Sequence, residues 1–294
     1  MINFRYHLVS IAAIFLALAA GIALGSGPLD NAKNIIGDDS NASSSVDQSD
    51  LTSFDAAYAK KTGTTIVDGK IKGQSVAIFT LPGARADQVA GLKAAVTSGG
   101  ASVTGEIAVT SKLLDSSSRQ FAEGVSSQAA KGATGVATTG DSYVRIGSAL
   151  GRAFLAKSTT KSDAAGNTIA SAFVEGKLID ETGRPTNRAS IALIVAGPDK
   201  VDGDLGAGNI AAQLAGAFDT QAKGVVFAGP SQSSKDGGYL QILRGSDVAS
   251  QVSSIDVSDS PAGRLVTVLV AAREIRDNAG AFGTARSADG AIPN

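Results

Sequence analysis

Two hydrophobic patterns alternate along most of the chain, and they predict strands and helices in turn. Near-continuous apolar runs rich in β-branched residues predict buried strands over 75–81, 101–109, 190–197, 224–229 and 252–257. Between these runs, apolar residues recur at helical spacing, as at Val89, Leu92 and Val96. Apolar strands separated by helices are typical of a mostly parallel sheet with helices on both faces, which is the α/β fold that we predict.

The predicted α/β domain spans residues 71–278 and holds roughly five strands. The segment 111–180 is richer in helical spacing, and its inserted helices are compatible with a subdomain. Ser260 and Pro261 predict the N-cap and the first turn of a long final helix. Residues 279–294 are rich in Gly, Ala and Asp, a composition that predicts a flexible tail.

The start of the chain has a different pattern, a single long apolar segment. Residues 8–29 carry no charged side chain, and a helix over them would be roughly 33 Å long, which matches the hydrocarbon core of a bilayer. Arg5 precedes the segment, and Tyr6 and His7 fall at its predicted membrane interface, so these three residues are the expected anchor. The positive-inside rule then predicts a single-pass plasma-membrane protein with its N-terminus in the cytoplasm and most of the chain outside.

A cleaved signal peptide is the alternative interpretation of the apolar segment. Small residues around Leu18–Ala20 suit a peptidase, whereas the length of the apolar run and its single preceding Arg favour an uncleaved anchor. We therefore divide the chain before the α/β domain into a cytoplasmic tip with a membrane helix, residues 1–29, and a polar linker, residues 30–70. Within that linker, apolar spacing predicts a short helix over 51–61.

Small residues form one ridge on the predicted membrane helix. Ala13, Ala17, Gly21 and Gly25 are spaced by four and share a face. Such ridges let helix backbones approach closely, which predicts self-association or a membrane protein partner. The alternative is composition alone, because about half of the segment is Ala, Gly or Ser.

The amino-acid composition excludes several kinds of metal site and catalytic site. The chain has no Cys, one His (His7) and one Met (Met1). These counts exclude disulfides, thiolate or imidazole metal sites and histidine-dependent nucleophilic catalysis over nearly the whole chain. The 26 Lys and Arg residues nearly balance the 27 Asp and Glu residues, so we predict no nucleic-acid partner. We further predict no catalytic residue, no metal site and no cofactor, and therefore no enzyme.

One possible pocket is predicted at the carboxyl edge of the sheet, where open α/β folds bind ligands. Gly83 follows the first predicted strand, and Asp256 and Asp259 lie between the last predicted strand and the final helix. A pair of carboxylates in a cleft can serve acid–base chemistry. Helix capping and turn formation are the simpler interpretation of both Asp residues. The Gly-rich stretch 203–208 fits neither of the usual phosphate-binding fingerprints.

Three stretches together carry a family resemblance. They are FRYHLVSIAAIFLALAAGIALGSGPL at 4–29, AIFTLPGA at 77–84 and VSSIDVSDSPAGRLVTVLVAAREI at 252–275. The chain resembles in these stretches the actinobacterial MctB family of copper transport outer membrane proteins, which includes SteB-like envelope proteins. It departs from the family in two places. Residues 30–50 are polar and Ser-rich, which argues against the long heptad-bearing stalk helix that is usual in such proteins. Ala281 stands before Phe282 and Gly283 where relatives tend to carry a His.

The resemblance implies a membrane-anchored envelope protein associated with copper homeostasis or export. Copper in such proteins prefers thiolate, thioether and imidazole ligands, which the predicted outer domain lacks. We therefore predict that the protein acts without direct tight copper ligation. One alternative is a non-enzymatic, SteB-like scaffold that recruits a membrane partner in cell division or wall assembly. Another is an α/β domain that binds or hydrolyses a ligand with its carboxylates.

Overall fold

The structure is a computed structural model that describes residues 48–201 and 205–294. The predicted membrane helix, its flanking residues Arg5, Tyr6 and His7, the small-residue ridge and most of the linker lie outside these ranges. Within them, no helix is both long and apolar enough to cross a membrane. Residues Ser49–Asn294 form one compact unit.

Helices and strands alternate along this unit. The helices are α1 (Gln48–Val67), α2 (Ala86–Ser98), α3 (Ser111–Leu114), α4 (Arg119–Ala129), α5 (Ser142–Phe154), α6 (Ala164–Glu175), α7 (Leu205–Gln221), α8 (Tyr239–Arg244) and α9 (Pro261–Glu274). The strands are β1 (Ser75–Thr80), β2 (Ser102–Val109), β3 (Thr160–Lys161), β4 (Ile179–Glu181), β5 (Asn187–Arg188), β6 (Ile191–Val195), β7 (Gly224–Ala228), β8 (Ser253–Ile255) and β9 (Ala281–Phe282). Short 3₁₀ turns at Ser116–Ser118 and Ser231–Ser234 complete the order.

The described residues form a mostly parallel sheet with helices packed against it. Its strand order is β4-β2-β1-β6-β7-β8-β9, and all neighbouring pairs are parallel except β2 with β4. A separate antiparallel pair joins β3 to β5. The apolar runs predicted as strands form β1, β2, β6, β7 and β8, and the sheet gains β4 and β9 at its edges.

Alternate residues of the central strands contribute side chains to two apolar cores, one on each face of the sheet. Ala77 and Phe79 of β1 face the larger core, which holds buried residues of α3 to α8. Val76 and Ile78 face the other core, together with residues of α2 and α9 and the end of α1. Helices cover both faces of the sheet, which explains why the sequences of the central strands are continuous apolar runs.

The helices of the middle segment join the larger core instead of forming a subdomain. Phe154 of α5 meets Phe79 of β1 edge-on, with 6.1 Å between the ring centroids. Phe79 also lies 4.6 Å from Phe218 of α7. Aromatic rings from the sheet, the middle segment and α7 therefore share one packed layer, and the interpretation of 111–180 as a subdomain is corrected.

The first helix is longer than its apolar pattern predicts. It runs over Gln48–Val67, whereas the spacing predicts a helix only over 51–61. Gly63 allows the added turns to lie against α9, because a Cβ at this position would be 2.7 Å from Leu265 Cδ1. Val67 at the end of the helix is fully buried. Tertiary packing thus extends a helix that its Thr-rich sequence alone does not favour.

Part of the segment 279–294, which we predict to be a flexible tail, pairs with the sheet. Strand β9 pairs with β8 through Ser254 with Ala281 and Ile255 with Phe282. The ring of Phe282 is buried, and the N–H groups of the residues that follow donate to the carboxylate of Asp256. Long-range pairing therefore orders a segment whose composition is typical of loops.

Candidate functional site at the carboxyl edge of the sheet

The strand order places a topological switch point between β1 and β6. The chain leaves β1 toward β2 on one side, whereas the later parallel strands follow on the other side, and ligands of open α/β folds bind beside such a point. Here the turns that follow the two strands touch. Gly83 has a φ of +85°, and a Cβ on Gly197 would lie 2.1 Å from the Gly83 carbonyl oxygen. Backbone contact therefore fills the crevice between these two turns.

Next to this contact, a buried glutamine forms hydrogen bonds with residues that follow β6 and β8. The Gln88 Nε2 donates to Ser258 Oγ at 2.8 Å and to the Ala196 carbonyl at 3.4 Å. Its side chain is buried, and its Oε1 has no hydrogen-bond partner. Gln88 thereby connects the first turn of α2 to the ends of β6 and β8. Its role could not be predicted from the sequence, because a Gln within an amphipathic helix gives no local signal of burial.

Asp256 is fully buried, as are most atoms of the arginine that it meets. Arg244 Nη1 donates to Asp256 Oδ2 at 2.8 Å, and the N–H of Thr284 donates to Oδ1 at 2.7 Å. Arg244 also donates to Ser254 Oγ at 2.9 Å and to the Phe282 carbonyl at 2.8 Å. The carboxylate therefore joins α8, β8 and the segment after β9, and its lone pairs are used for structure.

The structure does not bring Gly83, Asp256 and Asp259 together as one pocket. Strands β1 and β8 are separated by β6 and β7, which corresponds to roughly 14 Å across the sheet. Asp259 is exposed, and it accepts a hydrogen bond from Arg264 through its backbone carbonyl. Ser260 instead caps α9, since its Oγ accepts the Gly263 N–H at 2.9 Å. The predicted pairing of two carboxylates for acid–base work has no geometric basis here.

An open polar cavity of about 430 Å³ lies at the same edge of the sheet, where α4, α5 and α7 begin. Its lining comprises Ser116, Arg119, Asp141, Ser142, Tyr143, Gly206, Asn209, Ile210 and Gln213. The Tyr143 hydroxyl donates to the Asp115 carbonyl at 3.3 Å, and burial raises the pKa of this phenol. The lining supplies hydroxyl, amide and carboxylate oxygens and one guanidinium, which suit weak contacts with polar groups.

Buried acid groups occur at the opposite, amino edge of the sheet. Glu274 of α9 accepts hydrogen bonds from the Ser253 hydroxyl and from the Val225 N–H. Burial raises the pKa of Glu274 to about 7 and also raises the pKa of Asp219 nearby. Among the described residues, no three His, Cys, Asp or Glu side chains group as a metal ion would require.

Comparison with known proteins gives a consistent result over the full length. The sequence model of the family described as "Copper transport outer membrane protein, MctB" matches residues 1–293. The chain is 27% identical to proteins named Copper transporter MctB from Mycobacterium tuberculosis (strain ATCC 25618 / H37Rv) and Mycobacterium bovis, over 98% of both chains. It is also 27% identical to the protein of that name from Mycobacterium leprae, over 92% of each chain.

Proposed function

Because the chain belongs to the MctB family of copper transport outer membrane proteins, we propose that it is a membrane-anchored envelope protein that acts in copper homeostasis. The family match includes the uncharged segment 8–29, and the relatives of similar length carry the name Copper transporter. This segment is the proposed single-pass anchor, with Arg5 on the cytoplasmic side. The α/β domain then lies outside the cytoplasm.

We further propose that the outer domain supports copper homeostasis without holding copper in a tight site. The observation that carries this proposal is the donor inventory. Residues 30–294 contain no Cys, no His and no Met, and these side chains supply the soft and imidazole ligands that copper prefers. Carboxylates and hydroxyls remain, and they favour harder ions such as magnesium and calcium.

The proposed domain therefore acts through its surfaces and not through a reaction centre. Asp256, the acidic residue with the most hydrogen bonds at the carboxyl edge, is occupied by Arg244 and by backbone N–H groups. Glu274 is likewise engaged by Ser253 and Val225. A non-enzymatic role in the envelope, through contacts with other proteins, agrees with this use of its charged groups.

A protease experiment tests the proposed topology. We expect protease added to intact, wall-stripped cells to digest the domain after residue 30 while an N-terminal epitope tag stays in the membrane pellet. The physical reason is that the uncharged helix holds the tag inside and exposes the domain outside.

Permeabilised cells are the control, because the tag should then be lost as well. A tag absent from every membrane fraction would support cleavage of the segment as a signal peptide. A domain protected in intact cells would contradict the orientation.

A scaffold is the second candidate function, and the ridge of Ala13, Ala17, Gly21 and Gly25 favours it. A ridge of this kind lets the anchor pack closely against a second copy or against another membrane protein. Such a scaffold would recruit its partner in cell division or wall assembly and would influence copper tolerance indirectly. Like the first proposal, it needs no copper site, so the Cu(I) affinity of the domain separates both proposals from a transporter that ligates copper in its outer domain.

A further inference from the structure

The guanidinium of Arg188 on β5 is enclosed, yet it makes no hydrogen bond to any residue that the structure describes. Its side chain is 14% exposed, and its Nε is buried without a partner. The nearest acidic group is Asp163, whose Oδ2 lies 3.7 Å from Arg188 Nη2. An arginine has five N–H donors, and buried donors in native proteins are normally satisfied. Arg188 therefore has donors to offer to a further group.

Asp163 accepts no hydrogen bond from Arg188 and is held by a second arginine. Arg152 donates to both carboxylate oxygens, with Nη1–Oδ1 at 3.2 Å and Nη2–Oδ2 at 2.7 Å. The Gly166 N–H also donates to Oδ1 at 2.8 Å, so Asp163 serves as the N-cap of α6. Two guanidinium groups thus share one carboxylate, and one positive charge is left over.

The surplus positive charge in this cluster affects the pKa values of its side chains. The hydrogen bonds from Arg152 and from the Gly166 N–H, with the charge of Arg188 adding to them, lower the pKa of Asp163 to about 2. Burial and the neighbouring Arg152 lower the pKa of Arg188, and the charge of Asp163 offsets this only in part. A largely desolvated charge that shares its one nearby carboxylate with a second arginine is unfavourable, and a further anion beside it reduces that penalty.

We propose that Arg188, supported by Arg152, binds an oxyanion group of the carboxylate or phosphate class. The cluster is open on one side, since the side chain of Asp163 is 43% exposed and Thr160, opposite Arg188 in the β3–β5 pair, is exposed. An oxyanion on that side accepts hydrogen bonds from the free Nη donors of Arg188. The planar guanidinium suits two parallel hydrogen bonds to such a group. This site lies away from the carboxyl edge of the sheet and is independent of the copper role.

Thermal unfolding of the full-length protein in nonionic detergent tests the proposal. Sodium phosphate should raise the melting temperature by about 2–4 °C, saturably, over sodium chloride of equal ionic strength. The Arg188→Gln variant should lose this rise. The Arg85→Gln variant should keep it, because Arg85 is exposed and already paired with Asp87. The same measurement is repeated with acetate and with micelles that contain phosphatidic acid. Comparison with phosphate then shows whether the bound group is a free carboxylate, a free phosphate or a lipid headgroup.

If phosphate raises the melting temperature equally in the wild type and in Arg188→Gln, the rise is a general effect of phosphate on protein stability. That result would overturn the proposal. If Arg188→Gln does not fold, the Nε–H signal of Arg188 in a ¹⁵N NMR spectrum of the wild type decides. A saturable shift of that signal with phosphate supports the site, and an unchanged signal up to high phosphate concentration contradicts it.

Discussion

Asp256→Ala should lower the free energy of unfolding by about 3–5 kcal/mol, the usual effect of removing one partner from a buried ion pair. The substitution leaves the buried guanidinium of Arg244 without its carboxylate, and it also removes the acceptor of the Thr284 N–H. Urea denaturation of the compact unit 49–294 would measure the loss. Limited proteolysis should show the same change locally, because the segment after β9 loses its attachment to β8.

The matched control is Asp87→Ala, which breaks an ion pair with Arg85 whose side chains are 59% and 61% exposed. We expect a much smaller effect there, because solvent screens an exposed pair. If the two variants unfold at similar denaturant concentrations, the Arg244–Asp256 pair does not stabilise the edge of the sheet as described.

Glu274→Gln should remove a large part of the dependence of stability on pH. Burial raises the pKa of Glu274 from its ordinary 4.5 to about 7 in the folded protein. The folded state therefore holds this proton more tightly than the unfolded state does. The resulting stability is fully present below about pH 4.5 and is lost as the pH rises through about 7. Its size is on the order of 3 kcal/mol.

Urea denaturation at a series of pH values between 4.5 and 8 would measure this effect. The wild type should lose stability across that interval, and Glu274→Gln should show a flatter profile. Glu175→Gln is the control, because Glu175 is an exposed carboxyl on α6. A profile of Glu274→Gln that parallels the wild type would mean that another group causes the pH dependence.

The central sheet could be predicted from the sequence because its strands are buried on both faces. Ile191–Val195 and Gly224–Ala228 are apolar throughout, and a glycine follows each within two residues, so their pattern indicates buried strands. The start of α9 was equally well specified, since Ser260 and Pro261 are local signals that need no knowledge of the fold.

Elements that depend on distant partners could not be predicted. Strand β9 has two residues, and it exists because β8 and the Arg244–Asp256 pair hold it. The last turns of α1 depend on the fit of Gly63 against Leu265. In both places the local composition favours loops, and long-range packing outweighs it.

In the candidate site, too, single residues could be predicted from the sequence, whereas their distant partners could not. The sequence identified Asp256 as an acidic residue at the carboxyl edge, but its partner lies in α8, and nothing local reveals that pairing. Arg152, Asp163 and Arg188 come from α5, the start of α6 and β5, so their cluster exists only in the folded chain. Charges at scattered positions in a sequence do not show which of them will share a partner.

We propose that the α/β domain of this member of the MctB family has no tight copper site. The most direct measurement is a Cu(I) competition titration of the purified unit 49–294 against a chromogenic chelator of known affinity. We expect the chelator to keep its copper and no submicromolar binding to appear, because the domain lacks thiolate, thioether and imidazole donors. Stoichiometric binding of Cu(I) with submicromolar affinity would contradict the absence of a tight site and would support direct ligation of copper during transport.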